Sequence, residues 1–338
     1  MHEAALYEQL GNGRVRCGLC PRHCNIQPGG RGYCQAYRND GGTLISVDYG
    51  QVSSAAVDPI EKKPLFHFYP GSRVFSLGSW GCNMRCRHCQ NWEIACVDVG
   101  EDGEGREMSP EDAVRTAKRH GSQGIAWTYN EPSMWLEYTV DTAMRARAEG
   151  LYTVYVTNGY LSLEALDLIG PYLDAWRVDF KGFTDAFYRD LARVPDFRPI
   201  LDATLRAKER WGCHVEVVTN IIPTRNDDTA QLEALAAWVA QHLGRQTPWH
   251  VTRFYPHRDL LDVPPTPLST LERARQIGLD AGLQYVYLGN VPGHEAEHTY
   301  CPSCGERVIV RAGYHVQLVG VREGLCRSCG ASLNIRGG

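Results

Sequence analysis

The hydrophobic positions between residues 73 and 290 fall into seven short runs. Most runs are rich in β-branched and aromatic residues, and several lack regular polar alternation, which is typical of strands buried on both faces of a parallel sheet. We therefore predict seven strands. They are RVFSLG (73–78), GIAWTY (124–129), LYTVYVTN (151–158), AWRVDF (175–180), HVEVVTNI (214–221), WHVTRFYP (249–256) and LQYVYLGN (283–290).

Helical patterns separate these runs. The first predicted helix follows Ser109, a candidate N-cap with proline at the next position, and ends at Gly121. The other predicted helices span 133–149, 162–169, 200–211, 227–243 and 269–281. The last three are followed by candidate C-cap glycines, Gly212, Gly244 and Gly282.

Six strand–helix units and a final strand indicate an α/β fold, either a parallel (β/α) barrel or a doubly wound sheet. In both architectures the chemistry gathers at the carboxyl ends of the strands. We expect residues 73–294 to form this domain. An N-terminal metal module with an extended segment (1–72) precedes it, and a small module (295–338) follows it.

Composition narrows the class of protein. Hydrophobic residues make up 43% and charged residues 22% of the 338 positions, as in ordinary soluble proteins. No apolar run is long enough to span a membrane, and the first residues lack the pattern of a signal peptide, so we expect a cytoplasmic protein. A net charge of −4 argues against electrostatic binding of nucleic acid over a broad surface.

Cysteines give the strongest chemical signal. Eleven of the thirteen lie in three sets of four, three and four, which in a reducing compartment favours metal ligation over disulfides. The middle set, Cys82, Cys86 and Cys89, follows the first predicted strand as C-x3-C-x2-C. Three thiolates on a [4Fe–4S] cluster leave one iron without a protein ligand. The alternative is a zinc site with His88 as fourth ligand.

This loop, within GSWGCNMRCRHCQNW, resembles the signature of the radical S-adenosylmethionine (SAM) superfamily. The resemblance implies a partial (β/α)6 TIM-type barrel whose open iron binds the amino and carboxylate groups of SAM. It also implies one-electron cleavage of SAM to a 5′-deoxyadenosyl radical that abstracts a hydrogen atom. His88 stands where the family usually has an aromatic residue, and it could stack on adenine.

Two later strand ends fit this interpretation. TYNEP resembles the family's GGE-like motif, which implies that Glu131, with Asn130 beside it, binds the SAM ammonium. In the alternative interpretation, Glu131 is simply an acidic residue at the start of a helix, just before Pro132. Asn158, in VTNGY, could bond a ribose hydroxyl or simply form an Asn-Gly turn.

The fourth and sixth strands end in further candidates. Asp179 and Lys181 point to one face of a strand, and the pair resembles the D-x-K motif of glycyl-radical-enzyme activases, which holds the SAM carboxylate and the substrate. The alternative is a structural ion pair. His257 resembles an activase histidine that contacts SAM, and a surface histidine is the alternative.

The terminal cysteine sets have four members each and suit closed sites. Two C-x2-C-G knuckles and the hairpin-like stretch between them predict a zinc ribbon. Its ligands are Cys301, Cys304, Cys326 and Cys329. The N-terminal set has an unusual spacing, for which we favour zinc with a second iron–sulfur cluster as the alternative. Its members are Cys17, Cys20, Cys24 and Cys34.

Taken along the whole chain, the motifs resemble the radical SAM enzymes of the AmmeMemoRadiSam system. The N-terminal CGLCPRHC and the PIEKKPL segment narrow the resemblance to that family. It implies AMMECR1-like and Memo-like partner proteins, and a reductant such as a flavodoxin or ferredoxin. We expect hydrogen abstraction from an unidentified substrate, with a partner protein as one candidate. The alternatives are a glycyl-radical-enzyme activase and a non-catalytic zinc-binding interaction module.

Overall fold

The chain forms two compact units in the computed structural model, which describes residues 2–96 and 105–337. The first unit comprises Met1–Asp58, Arg73–Trp176 and Leu191–Cys213. The second unit comprises Pro59–Ser72, Arg177–Asp190 and His214–Gly338.

Short antiparallel strands build the N-terminal part of the first unit. Their bounds are β1 His2–Glu3, β2 Tyr7–Gln9, β3 Val15–Cys17, β4 Asn25–Ile26, β5 Tyr37–Asp40, β6 Thr43–Ser46 and β7 Gln51–Val52. Two small sheets result, with strand orders β2-β3-β4 and β1-β6-β5. The buried carboxylate of Glu137 ties this part to a later helix, since it accepts from the Ala5 N–H at 2.9 Å and the Tyr37 hydroxyl at 2.7 Å.

Eight strands form a mostly parallel sheet, and all seven predicted strands are among them. In chain order the next strands are β8 Ser54–Pro59, β9 Arg73–Gly78, β10 Arg106–Glu107, β11 Gly124–Trp127, β12 Tyr152–Thr157, β13 Ala175–Asp179, β14 His214–Ile221, β15 Trp249–Arg253 and β16 Val286–Gly289. The sheet order is β16-β15-β14-β13-β12-β11-β9-β8, and β10 pairs with β7 instead. The pairs among β9, β11 and β12, and among β14, β15 and β16, are parallel.

The parallel α/β fold is thus confirmed, whereas the curvature of a partial barrel stays a prediction. β8, which lies at one end of the sheet order, was not among the predicted strands. In the first unit, the buried rings of Trp127, Tyr155 and Trp176 meet in series from β11, β12 and β13. Burial of large aromatic surfaces on consecutive strands is a main stabilising contribution to such a core.

The predicted helices also form. The helices are α1 Trp92–Ala95, α2 Pro110–Arg119, α3 Leu136–Ala148, α4 Leu163–Ile169, α5 Asp185–Phe187, α6 Arg198–Glu209, α7 Thr229–Trp238 and α8 Leu268–Asp280. Ser109 caps α2, because its hydroxyl accepts the Asp112 N–H at 3.1 Å. The three predicted C-cap glycines have positive φ, as that role requires: Gly212 +65°, Gly244 +89° and Gly282 +93°.

Shorter helical turns supplement these elements. The 3-10 turns are Gly11–Gly13, Ile60–Lys62, Pro132–Trp135, Gly170–Tyr172 and Glu295–Glu297, and the π-helical turns are Tyr188–Ala192 and Val239–Leu243. No helix among the described residues combines the length and the apolar character needed to cross a membrane.

The C-terminal part of the second unit contains the predicted hairpin. Its strands are β17 Thr299–Tyr300, β18 Arg307–Ala312, β19 His315–Leu318, β20 Val321–Arg322 and β21 Leu325–Cys326, and β18 pairs with β19 in antiparallel register. The side chains of Val308, Ile309, Val321 and Leu333 form a small buried core there.

The second unit is organised around the buried carboxylate of Glu216 on β14. Its oxygens lie 3.0 Å from His214 Nε2 and 2.6 Å from His250 Nε2, and they accept the backbone N–H groups of Phe66 and His67 at 3.0 and 2.8 Å. These bonds explain why Pro59–Ser72, assigned above to the N-terminal module, belongs to the second unit. The division into modules 1–72, 73–294 and 295–338 stays a prediction.

Buried histidines make the second unit sensitive to acid. Burial lowers the pKa of His67 to about 3, and burial also lowers the pKa of His250. Burial alone would raise the pKa of Glu216, but hydrogen bonds from His214 and His250 hold it well below its ordinary value. Since each folded-state pKa lies below its unfolded value, the folded state binds fewer protons, and stability falls as the pH decreases.

We predict that the free energy of unfolding has its full value above about pH 6.5. It decreases as the pH falls toward the pKa of His67 in the folded protein, about 3. From His67 alone, the loss at pH 5 is about 2 kcal/mol. Urea denaturation at pH 7.5 and pH 5 measures it. A glutamine side chain cannot titrate, so in His67→Gln the loss of unfolding free energy between pH 7.5 and pH 5 should be smaller by that amount. An unchanged loss would contradict the assignment.

Candidate active site and metal centres

The cysteine loop follows β9, at the strand end where chemistry is expected. Its tight path depends on Gly81, which has φ +82° and whose added Cβ would lie 2.2 Å from the Cys34 carbonyl oxygen. The Gly81 N–H donates to the Ile94 carbonyl at 2.9 Å, which closes the loop onto α1. A side chain at position 81 would displace the loop or the N-terminal segment.

The sulfur of Cys82 is surrounded by hydrogen-bond donors. The Met84 N–H lies 3.3 Å from it and the Asn158 amide nitrogen 3.6 Å. Burial raises the pKa of Cys82 well above its ordinary value, and the nearby Glu131 carboxylate raises it further. A thiolate here therefore requires a cation, and a metal cluster provides one.

The spacing of the C-terminal sulfurs is that of a single-ion site. A tetrahedral zinc with Zn–S bonds of about 2.3 Å places its sulfurs about 3.8 Å apart. Among the described residues, only the C-terminal set has all its ligand atoms within 4.8 Å of one another. Cys82, Cys86 and Cys89 offer three thiolates, a set that leaves one iron of a [4Fe–4S] cluster without a protein ligand.

Asn130 holds the beginning of the loop. Its Nδ2 donates to the Ser79 hydroxyl and the Gly81 carbonyl, both at 3.0 Å, and its Oδ1 accepts the Ser79 N–H at 3.1 Å. The predicted contact of Asn130 with SAM stays a prediction, and the structure assigns this side chain a positioning role for the loop.

Asn158 also faces the cysteine loop. Besides approaching Cys82, its amide donates to Asn83 Oδ1 at 2.9 Å and accepts the Tyr160 N–H at 2.8 Å. Asn83 was not among the predicted site residues, although it lies between two predicted cluster ligands in the sequence. Ribose binding by Asn158 stays a prediction.

Glu131 is buried where β11 and β12 end. Its Oε1 accepts the Ser133 N–H at 3.1 Å and the hydroxyls of Ser133 and Thr157 at 2.7 Å. Its Oε2 accepts the Asn158 N–H at 2.7 Å and retains the capacity for a further donor. Burial raises the pKa of Glu131, and these hydrogen bonds oppose that rise.

Asp179 lies between two cations of the second unit. The Arg177 guanidinium donates to one oxygen of Asp179, and Lys181 Nζ lies 3.0 Å from the other. Burial raises the pKa of Asp179, but Arg177 and Lys181 together hold it below its ordinary value. Arg177 was not among the predicted site residues, although it shares the strand face of Asp179 and Lys181.

The two candidate histidines differ in their environment. His88 is buried within the cysteine loop, with 9% of its surface exposed. His257 is half-buried in a turn after β15, and its carbonyl accepts the Leu260 N–H at 3.1 Å. A role of either side chain in binding SAM stays a prediction.

The C-terminal cysteines form two equivalent knuckles. The Gly305 N–H donates to the Cys301 carbonyl at 2.9 Å, and the Gly330 N–H donates to the Cys326 carbonyl at 2.8 Å. Across the knuckles, the sulfurs of Cys301 and Cys329 are 3.6 Å apart and those of Cys304 and Cys326 are 3.7 Å apart. These separations match the edge of a tetrahedral site with thiolate ligands.

Comparison with known proteins assigns the class. The sequence profile of the radical SAM superfamily matches residues 79–238, which contain the cysteine loop and Glu131. The chain belongs to the radical SAM superfamily, whose members bind a [4Fe–4S] cluster and SAM. Over 337 residues it is 45% identical to the Uncharacterized protein MJ0808 of Methanocaldococcus jannaschii, and the match covers 99% of both chains.

Two further similarities are more limited. The isethionate sulfite-lyase activating enzyme of Nitratidesulfovibrio vulgaris is 28% identical over 127 residues, which cover 38% of this chain and 41% of that protein. A radical SAM methyltransferase from Sphaerobacter thermophilus has a crystal structure with a TM-score of 0.51 and 16% identity, covering 84% of this chain and 75% of the other. The latter similarity supports a common fold.

We predict that Glu131→Gln destabilises the first unit by about 1–3 kcal/mol, because an amide nitrogen would then face one of the buried donors that Glu131 accepts. Urea denaturation measures the loss. Glu149→Gln is the matched control, since Glu149 forms an exposed ion pair with Lys118 and its loss costs about 1 kcal/mol or less. Equal stability of Glu131→Gln and the wild type would contradict the proposed network.

Proposed function

We propose that this protein is a radical SAM enzyme that abstracts a hydrogen atom from a substrate bound near the cysteine loop. The observation that carries the proposal is the loop itself: three cysteines after β9 and no fourth cysteine in the loop, a set that suits three irons of a four-iron cluster. When bound, the [4Fe–4S] cluster supplies the electron that cleaves the sulfonium–C5′ bond of SAM.

The chain's own residues position this chemistry. Asn130 fixes the loop, and Asn158 donates toward the sulfur of Cys82. Glu131 sits beside Cys82 with an oxygen that can accept from the SAM ammonium. Burial strengthens that interaction, because few water molecules compete for the carboxylate.

Arg177, Asp179 and Lys181 form a partly buried group with a net charge of +1. We propose that Asp179 orients the two cations and that Lys181 contacts the SAM carboxylate or the substrate. The D-x-K pattern and the position of Lys181 beside a partly buried carboxylate support this proposal.

We further propose that the C-terminal cysteines bind zinc as a closed structural site and that the enzyme acts in the cytoplasm. The AmmeMemoRadiSam resemblance supports AMMECR1-like and Memo-like proteins as partners, with a flavodoxin or ferredoxin as reductant. A residue of one of these partners is our candidate for the substrate that loses the hydrogen atom.

A glycyl-radical-enzyme activase is the second candidate. It is favoured by the similarity to the isethionate sulfite-lyase activating enzyme and by the D-x-K pattern of Asp179 and Lys181. A glycine-centred doublet in the electron paramagnetic resonance (EPR) spectrum of a partner protein would distinguish it from other hydrogen abstraction.

We predict that the anaerobically reconstituted, dithionite-reduced protein converts SAM into 5′-deoxyadenosine and methionine, quantified by liquid chromatography. Cys89→Ala should abolish the conversion and the iron of this cluster. Cys213→Ala is the matched control, because Cys213 is buried near the Leu173 carbonyl and outside all three sets. The proposal fails if the wild type leaves SAM intact and Cys89→Ala retains its iron.

We predict that Cys329→Ser lowers the zinc content by about one ion per chain while the iron content is unchanged. The physical reason is that the tetrahedral site loses one of its four ligands. The four cysteines also cross-link the small core around Val308 and Leu333. Elemental analysis by mass spectrometry measures both metals, with Cys213→Ala as control. A variant that loses iron and keeps zinc would refute the zinc assignment.

A further inference from the structure

A strained turn lies at the centre of the TYNEP motif. Tyr129 has φ +74°, in the left-handed region that residues with a bulky side chain rarely adopt. The Asn130 N–H donates to the Thr128 carbonyl at 3.0 Å. A hydrogen bond across three residues with such a central φ describes the rarer, strained form of the γ-turn. Strain of this kind persists only where the surroundings enforce it, and it is common at functional sites.

The Tyr129 side chain is anchored at its far end. Its hydroxyl donates to Asp58 Oδ2 at 2.9 Å, and both residues belong to the first compact unit. Asp58 is buried on β8 and immediately precedes the PIEKKPL segment, to which the proposed function gives no role. A hydrogen bond to a carboxylate is stronger than one between neutral groups, so this anchor opposes the strain in the turn.

Tyr129 also contacts both ends of the cysteine loop. Its ring packs on the backbone of Gly78, where an added Cβ would lie 3.0 Å from Tyr129 Cδ2. Its carbonyl accepts a hydrogen bond from the Asn91 side-chain amide at 2.6 Å. Gly78 and Asn91 lie on either side of the three cluster cysteines in the sequence. One residue therefore holds both ends of the segment that contains them.

The turn also directs the two residues that follow it. Asn130 donates to the Gly81 carbonyl at 3.0 Å, and the Glu131 carboxylate lies near Cys82. Consecutive residues of a continuing strand would point to opposite faces of the sheet. Because the turn at Tyr129 interrupts the direction of the strand, both side chains approach the same loop.

We propose that Tyr129 is a positioning residue for SAM, and that its anchored turn aligns the carboxylate of Glu131 with the cysteine loop. This inference rests on the proposed function and deepens it, because Glu131 is there the acceptor of the SAM ammonium. Tyr129 acts through its backbone, and the bond to Asp58 keeps that backbone in the left-handed region. Glycine adopts the same region with little strain, so the turn and the phenol can be tested separately.

The affinity for SAM tests the anchor. The full chain is reconstituted anaerobically with iron and sulfide, and equilibrium dialysis measures the binding of labelled SAM. We expect Tyr129→Phe and Asp58→Ala each to weaken binding about tenfold, because the anchoring hydrogen bond is lost. Asp58→Asn keeps an oxygen acceptor and should retain most of the affinity. Tyr49→Phe is the matched control, since the half-buried Tyr49 donates to Asp141 at 2.5 Å in the same compact unit.

Two further substitutions of Tyr129 test the turn. Alanine is strained in the left-handed region and glycine is not, so Tyr129→Gly should bind SAM about fivefold more tightly than Tyr129→Ala. Equal losses in the two variants would overturn the positioning role. In steady-state cleavage with dithionite, Tyr129→Phe should raise the KM for SAM and leave kcat nearly unchanged. Partial unfolding would instead lower kcat and leave KM unchanged, which would also overturn the role.

The outcomes separate this proposal from the proposed function. If the wild type cleaves SAM while Tyr129→Phe and Asp58→Ala keep its affinity and KM, only the positioning role is wrong. A wild type that neither binds nor cleaves SAM would refute the proposed function and the positioning role together. Loss of iron from both variants before SAM is added would assign the anchor to holding the cluster, and it would overturn the role in SAM binding.

Discussion

A thiolate buried away from water is stable only beside a compensating charge, and this constraint governs the first compact unit. Seven cysteines lie there in two adjoining sets, and burial raises the pKa of those at their centre, Cys34 and Cys82 among them. Both sets pack against each other around Gly81 and Asn83. The N-terminal segment is therefore part of the site.

Sequence patterns predicted the regular elements well, because those elements depend on local chemistry. Ser109 caps its helix and the two C-terminal knuckles form as their spacing required. What could not be predicted were partners distant along the chain. Asn130 and Asn158 contact the cysteine loop about 50 and 76 residues before them. Pro59–Ser72 joins the second unit because Glu216 accepts its backbone N–H groups, and no local pattern encodes that choice.

The same limit applies to metal identity. A four-cysteine motif specifies ligands but not how many metal atoms they surround, and the two terminal sets look alike in this respect. Among the described residues, the C-terminal sulfurs lie at separations that match the edge of one tetrahedron. The geometry of the sulfurs therefore carries information that the spacing of cysteines along the chain does not.

The surroundings of Cys82 contain two opposing influences on a bound cluster. Hydrogen bonds from Met84 and Asn158 stabilise extra negative charge at the sulfur and so raise the reduction potential, whereas the carboxylate of Glu131 lowers it. Under the proposed function, the amino group of SAM would donate a hydrogen bond to Glu131. That bond would weaken the repulsion between the carboxylate and a reduced cluster, so the potential would rise when SAM is present. A single buried carboxylate would then both bind SAM and disfavour reduction of the cluster before SAM is in place.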